Sequence, residues 1–273
     1  MHPLLIKIGP IPIHTYGVLI AIGFLAGIFT ARKLAARSGL NVDRFLDFSF
    51  WALLIGLIGA RALFVITRIE SFLLDPVSIF KVWEGGLVFF GGLLAVVPFA
   101  WWYFKKYKLP FWKTADVALP GLVIGHFFGR LGCLAAGCCY GKPTGSSFGI
   151  RLYSDLVESA YHGITLHPTQ LYEAGALLVL FVGMMSVFKR KKFDGQVALT
   201  YFLIYPVIRS VIEVFRGDLI RGFVIDNVVS TSQFISALVF VAALVILVVR
   251  SRQLSEENSS NNRRSKPKKR DNT

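Results

Sequence analysis

The sequence predicts an all-α polytopic membrane protein, a bundle of about seven transmembrane helices. Hydrophobic residues make up 54% of its 273 residues, charged residues only 17%, and the mean hydropathy is +0.59. Apolar runs of roughly 18 or more residues, the length a helix needs to cross the hydrocarbon layer, recur along the chain. The runs are continuously apolar, whereas strands of a membrane β-barrel alternate polar and apolar residues, so helices are expected.

Seven such runs are present, and they define the expected domain organisation. They cover approximately 13–31, 47–66, 86–104, 115–133, 169–188, 196–215 and 232–249. Residues 1–249 are therefore expected to form one membrane domain with small external segments. The segment 250–273 is polar, basic and low in complexity, which is typical of a disordered tail.

The net charge of +14 indicates the orientation of the spans. Lys and Arg cluster at 32–44, 105–113 and 189–192 and in the tail, and alternation of seven spans places all four clusters on one side. The positive-inside rule makes that side cytoplasmic, so the N-terminus is expected outside and the C-terminus inside. These clusters are explained by topology, and no nucleic-acid partner is expected.

Arginines on the outer side need another explanation. They are Arg61, Arg68, Arg130, Arg151, Arg209, Arg216 and Arg221. An arginine at membrane depth is costly unless it pairs with a carboxylate or faces a polar cavity. Glu213 and Tyr205 lie four residues to either side of Arg209, on the same helical face. Two interpretations stay open: an Arg209–Glu213 pair that only neutralises itself, or two arginines at an outer-side cavity that bind a phosphate, which points to a phospholipid head group.

All three cysteines lie within seven residues, at Cys133, Cys138 and Cys139. Their spacing matches the known zinc patterns poorly, so no metal site is expected, and no cofactor is expected either. A disulfide on an oxidising outer face and simple packing of small side chains both stay open.

Several motifs together resemble the prolipoprotein diacylglyceryl transferase family. GRLGCLAAGCCYG (129–141) resembles its signature segment, and MHPLLIKIGPIPIHTYGVLIAIGF (1–24) its N-terminus. GGLVFFGGL (85–93) resembles its third-span motif, HPTQLYEA (167–174) the start of its fifth span, and YPVIRSVIEVFR (205–216) its sixth. The motifs occur in the family's order and cover most of the chain.

The resemblance implies a multi-pass enzyme of the bacterial inner membrane whose active site faces outward. Such an enzyme moves diacylglyceryl from phosphatidylglycerol to the lipobox cysteine thiol of a prolipoprotein signal peptide, forming a thioether and releasing glycerol phosphate. Its expected partners are therefore phosphatidylglycerol, lipobox-bearing signal peptides and membrane lipid.

The residues and the resemblance together predict the site. Arg130 and Arg209 are expected to bind phosphate and stabilise developing charge, with Tyr16 orienting them and His167 as general base or as a helix-capping residue. Residues expected to bind substrate are Gly91, Gly92, Gly132, Gly141, Gln170, Tyr172, Glu173, Tyr205 and Glu213. The segment that holds Gln170, Tyr172 and Glu173 is equally consistent with scaffold.

The chain departs from the family pattern at four positions. Cys133 and Ala136 stand where the family usually has Asn, Cys138 where it has Glu, and Phe90 where it has His. An alternative function is therefore a non-catalytic or differently specific phospholipid-binding membrane paralog.

Overall fold

A computed structural model describes residues 4–8, 11–81, 85–153, 156–217, 222–225 and 228–265. Within them lie eight α-helices, and the all-α fold class is confirmed. They are α1 (Thr15–Arg37), α2 (Val42–Thr67), α3 (Ile69–Leu74), α4 (Phe89–Lys106), α5 (Phe111–Ala136), α6 (Thr169–Arg190), α7 (Gln196–Phe215) and α8 (Thr231–Ser265). Every predicted span coincides with one of the seven long helices.

Six of these helices, α1, α2, α5, α6, α7 and the 231–253 part of α8, are long and apolar enough to cross a membrane. The chain is therefore a multi-pass membrane protein. The helix α4 has 18 residues and ends in Lys105 and Lys106, and it is not apolar enough to be counted by the same measure. Its role as a seventh span stays a prediction, and the orientation of the termini depends on it.

Three two-stranded antiparallel sheets lie within the described residues. They pair β1 (Leu4–Ile8) with β2 (Ile11–His14), β3 (Ile150–Arg151) with β4 (Thr165–Leu166), and β5 (Phe223–Ile225) with β6 (Val229–Ser230). All three lie in segments that the sequence predicts to be external. Paired strands satisfy backbone groups that no helix satisfies there.

The chain divides into two compact units, and the first comprises Met1–Gly23 and Val123–Thr273. Here α7 packs against both α6 and α8. The buried residues of α6 and α7 include Leu177 and Met184 on the former and Val197 on the latter. A smaller apolar cluster lies under the segment that follows α5 and consists of Tyr140, Leu152, Val157 and Leu166. Every member of the ion-pair cluster described below belongs to this first unit.

The second unit, Phe24–Leu122, is built on close contact between α2 and α4. A Cβ atom at Gly59 would lie 2.6 Å from the carbonyl oxygen of Gly91, and one at Gly92 would lie 3.0 Å from that of Gly56. Small residues let helix backbones approach closely in a membrane, where apolar lipid provides little drive for association. Gly91 and Gly92 thus pack two helices, and their predicted contact with substrate stays a prediction.

Arg61, one of the arginines predicted to lie on the outer side, has a structural explanation in this second unit. Its buried guanidinium donates hydrogen bonds of 2.6, 2.9 and 2.7 Å to the carbonyl oxygens of Ser78, Ile79 and Gly85. It therefore fastens the segment that follows α3, a segment that begins with a 3-10 helix at Pro76–Phe80. Arg221 lies outside the described residues.

The predicted boundary at residue 249 falls inside α8, which continues to Ser265. Extending an existing helix costs far less than starting one, because nucleation is already complete. The predicted disorder of the tail stays a prediction, and residues 266–273 lie outside the described residues.

Candidate active site

The signature segment ends α5 in a sharp turn. The amide of Cys138 donates to the carbonyl oxygen of Cys133 at 3.1 Å, and that of Gly137 to Leu134 at 3.2 Å. With Gly137 at φ 80°, this is a Schellman cap, which favours glycine because a side chain is strained there. Cys139 also has a positive φ, 62°. The chain thus reverses direction immediately after the helix and sets Cys138 and Cys139 back toward Cys133.

After the turn, the chain lies between two other segments. The amide of Gly141 donates to the carbonyl oxygen of His167 at 2.9 Å, and that of Lys142 to Phe215 at 2.8 Å. A Cβ atom at Gly141 would lie 2.7 Å from the His167 carbonyl oxygen and 2.8 Å from that of Phe215. The close approach of these backbones explains why a glycine is present at position 141. The predicted role of Gly141 in substrate binding stays a prediction.

We expect Gly141→Ala to destabilise the protein by about 1–3 kcal/mol, because the added methyl group would force apart backbone segments that cannot yield separately. Thermal unfolding of the purified protein in detergent measures this. Gly145→Ala is the matched control, since a Cβ atom there meets nothing within 4 Å. An equal midpoint for both variants would contradict the packing role.

The start of α6 holds the cysteine turn through side chains. The Thr169 hydroxyl donates to the carbonyl oxygen of Cys139 at 2.8 Å, and the Gln170 amide donates to that of Cys138 at 2.7 Å. Both side chains are buried. Gln170, which the sequence predicted to bind substrate, thus positions the turn in this structure.

Glu173, also on α6, joins two arginines that come from different helices. Its Oε1 lies 2.9 Å from Nη2 of Arg130 on α5 and accepts a 3.0 Å hydrogen bond from the Tyr205 hydroxyl on α7. Its Oε2 lies 3.5 Å from Nη1 of Arg209. The Glu173 side chain is only 1% exposed, whereas those of Arg130 and Arg209 are 14% and 15% exposed. The carboxylate is therefore the buried centre of the cluster, and the guanidinium groups lie nearer its surface.

Arg209 has a second carboxylate partner. Its Nη2 lies 2.6 Å from Oε2 of Glu213, one turn along α7, as the sequence spacing predicted. Its Nε donates to the Ser232 hydroxyl at 3.1 Å, and that hydroxyl donates to Glu213 at 3.3 Å. The cluster thus contains two guanidinium groups and two carboxylates, so their formal charges cancel.

His126 completes the cluster on α5. Nε of Arg130 donates to Nε2 of His126 at 3.3 Å, which requires a neutral ring with its proton on Nδ1. The imidazole also lies edge-on to Tyr205, with ring centroids 5.5 Å apart. The i, i+4 spacing of His126 and Arg130 was visible in the sequence and could have indicated this contact.

His167 belongs to a different group. Its Nδ1 lies 3.1 Å from the Tyr172 hydroxyl, and its ring packs against Phe215 with centroids 5.4 Å apart. The structure therefore joins two of the predicted residues, His167 and Tyr172, but in a group separate from the Glu173 cluster. The predicted base role of His167 stays a prediction.

Tyr16 packs against Gly132, where a Cβ atom would lie 2.9 Å from the Tyr16 ring. Tyr16 also interacts electrostatically with Arg130 and with all three cysteines. The predicted residues Tyr16, Gly132 and Arg130 thus lie in one neighbourhood. In the same neighbourhood, hydrogen bonds with Cys133 and Cys138 lower the pKa of the Cys139 thiol, and the positive charges of Arg216 and Arg130 act in the same direction.

Ser232 was not identified from the sequence, because a serine at the start of α8 carries no signal of contact with α7. We expect Ser232→Ala to remove about 1–2 kcal/mol of the hydrogen bonding that positions the Arg209 guanidinium. Any activity that depends on this guanidinium should then fall roughly five- to thirtyfold. Turnover by purified protein measures the effect. Ser251→Ala, on the exposed part of α8, is the control, and equal rates for the two variants would remove Ser232 from the site.

Comparison with known proteins identifies the family. A family model described as prolipoprotein diacylglyceryl transferase matches residues 3–249. A phosphatidylglycerol–prolipoprotein diacylglyceryl transferase of Shouchella clausii is 36% identical over 90% of this chain and 88% of its own length. The enzyme of the same name from Oceanobacillus iheyensis is 34% identical over 92% of this chain and 88% of its own. Since the family model covers most of the described structure, including the arginine and glutamate cluster, this chain belongs to the prolipoprotein diacylglyceryl transferase family.

Proposed function

We propose that this protein transfers the diacylglyceryl group of phosphatidylglycerol to the lipobox cysteine thiol of prolipoproteins. The observation that carries the proposal is the pair of arginines, Arg130 and Arg209, that one buried carboxylate holds together from two helices. The family match and the names of the relatives support the same reaction.

The chemistry explains why two arginines are useful. The precursor thiolate attacks the glycerol carbon that carries the phosphate ester; a C–S bond forms and the C–O bond breaks. The thiolate charge is consumed, and the phosphate passes from a diester with one negative charge to a monoester with two. Guanidinium groups placed where this charge develops lower the barrier, because they stabilise the transition state more than the bound lipid.

Each arginine has a distinct way to contribute. Arg130 uses Nε and Nη2 for His126 and Glu173, and within the described contacts Nη1 is left to reach the phosphate. Arg209 is held by Glu213 and Ser232, and its buried Nη1 forms an ion pair with Oε2 of Glu173 at 3.5 Å, without a hydrogen bond in the described residues. A phosphate oxygen would therefore contact Nη1 of Arg130 directly, while Arg209 would stabilise the phosphate through its positive charge.

Glu173 acts as a positioning residue in this proposal. A carboxylate repels phosphate and would be a poor contact for the lipid. Between Arg130 and Arg209, however, it offsets the repulsion between the two guanidinium groups and holds them close together. Tyr205 holds the carboxylate in turn. The proton of the precursor thiol can leave with the monoester phosphate, whose second pKa is about 6. No side chain of the protein therefore needs to keep that proton after the reaction.

The proposed location is the bacterial inner membrane, with the N-terminus and the active site outside and the C-terminus in the cytoplasm. The basic clusters at 32–44, 105–113 and 189–192 support this orientation. A reporter fused after Lys192 or at the C-terminus is expected to be cytoplasmic, and one inserted after Ser154 external. An external C-terminus together with an external N-terminus would show that α4 does not cross the membrane, because an even number of spans places both termini on one side.

Complementation tests the proposed reaction. A bacterial strain depleted of its own diacylglyceryl transferase is expected to grow and to accumulate lipidated lipoproteins when this chain is expressed. Purified protein with phosphatidylglycerol and a lipobox peptide is expected to release glycerol phosphate. Bound phosphatidylglycerol with neither growth nor release would instead support the non-catalytic paralog.

A further inference from the structure

The three cysteines form a compact group of thiols. The Sγ atoms of Cys133, Cys138 and Cys139 all lie within 4.8 Å of one another, and all three thiols are free. They are the only cysteines of the chain. None of them takes part in the proposed transfer reaction, so the group calls for its own explanation.

The fold holds these thiols together by several independent contacts. The Schellman cap at Gly137 turns the chain back, and Cys139 takes a positive φ of 62° that a non-glycine residue adopts at a cost. Thr169 and Gln170 then fix the carbonyl groups of Cys139 and Cys138. An unfavourable backbone conformation that is held in place by two buried side chains is typical of a functional site.

Positively charged side chains lie near the thiol group. Arg216 and Arg130 both act electrostatically on Cys139, and each stabilises the thiolate. Thiolates, and not thiols, bind metal ions. These guanidinium groups offset part of the repulsion between thiolate ligands, whereas the neighbouring thiols and burial raise the pKa of Cys138, so a bound cation would have to displace its proton.

We propose that Cys133, Cys138 and Cys139 bind one thiophilic d10 metal ion, Cu⁺ or Zn²⁺, through their three sulfur atoms. A metal at about 2.3 Å from each sulfur holds the sulfur atoms about 3.8–4.0 Å apart. The group needs only small side-chain movements to reach that geometry from separations within 4.8 Å. A disulfide would bring two sulfur atoms to about 2.05 Å and leave the third unused.

The number of ligands ranks the two metals. No fourth His, Cys, Asp or Glu joins the three thiols in the part of the chain that the structure describes. Structural Zn²⁺ sites are almost always four-coordinate, so Zn²⁺ would need a water molecule. Cu⁺ is soft and suits three thiolates alone. Binding displaces the remaining thiol protons into solvent, so affinity rises with pH until the thiols are ionised.

Metal stoichiometry of the purified full chain tests the proposal. Protein in detergent is reduced with a phosphine, stripped with a chelator, and titrated separately with Zn²⁺ and with Cu⁺ under anaerobic conditions. We expect one ion per chain by elemental mass spectrometry, and X-ray absorption should show three sulfur neighbours at about 2.2–2.3 Å. Cys133→Ser, Cys138→Ser and Cys139→Ser should each weaken binding at least tenfold, and the triple variant should bind none.

His162→Ala is the control, because this histidine contacts the carbonyl oxygen of Val157 and is no part of the thiol group. Its affinity should equal that of the wild type, and circular dichroism should show that every variant is folded. Wild-type protein that binds no more metal than the triple variant in both titrations would overturn the proposal. The proposal would also be overturned if Cys133 forms a disulfide in air and the protein, once reduced, binds neither metal.

Discussion

Arg130→Ala is expected to reduce transfer by roughly thirty- to several-thousand-fold, the largest catalytic effect in the molecule. The change removes a charge-assisted contact to phosphate in a water-poor site, worth on the order of 2–5 kcal/mol. Arg130→Lys should recover little, because an ammonium group cannot contact His126, Glu173 and a phosphate through one planar fork. Labelled phosphatidylglycerol and purified protein provide the measurement.

Arg151→Ala is the matched control for Arg130. Arg151 also lies in a predicted external segment, but it is exposed and its Nε donates only to the Thr165 hydroxyl in the described contacts. It should retain nearly wild-type turnover. Near wild-type turnover by Arg130→Ala and Arg130→Lys, with both proteins inserted and folded, would refute the assignment of Arg130 to phosphate.

Glu173→Gln is expected to separate binding from catalysis. The amide is nearly isosteric but uncharged, so Arg130 and Arg209 keep a neighbour and lose the charge that balances them. Removing one partner of a buried ion pair typically costs about 3–5 kcal/mol, so the thermal midpoint should fall. Transfer should fall at least tenfold, while phosphatidylglycerol binds as tightly as before or more tightly, because the cluster gains one net positive charge.

Equilibrium binding of phosphatidylglycerol, measured beside single-turnover rates, distinguishes the two roles of Glu173. A carboxylate that touches the lipid, as the sequence analysis predicted, should lose affinity and rate together when it is changed. Glu70→Gln, at an exposed position outside this cluster, should alter neither quantity. Parallel losses of affinity and rate at an unchanged thermal midpoint would return Glu173 to the substrate-binding residues.

The cluster was only partly predictable from sequence. Arg209, Glu213 and Tyr205 were expected on one face because helical spacing places residues four apart side by side. Thr169, His126 and Ser232 were missed. Glu173 was predicted either to bind substrate or to belong to the scaffold, and in this structure it joins Arg130 to Arg209. The contact of His126 with Arg130 lies within α5, and helical spacing could have indicated it. The other relations join residues from different segments, and periodicity within one helix carries no information about them.

Composition and hydropathy alone determined that the chain is a multi-pass helical membrane protein, because backbone groups in hydrocarbon must bond within their own segment. The motifs alone determined its family. Only the tertiary structure decided which residues meet: that one buried carboxylate on α6 holds arginines from α5 and α7, that His167 pairs with Tyr172 apart from them, and that three cysteines converge. Local sequence sets the secondary structure of each segment, but contacts between segments depend on side-chain packing over distances that no local pattern encodes.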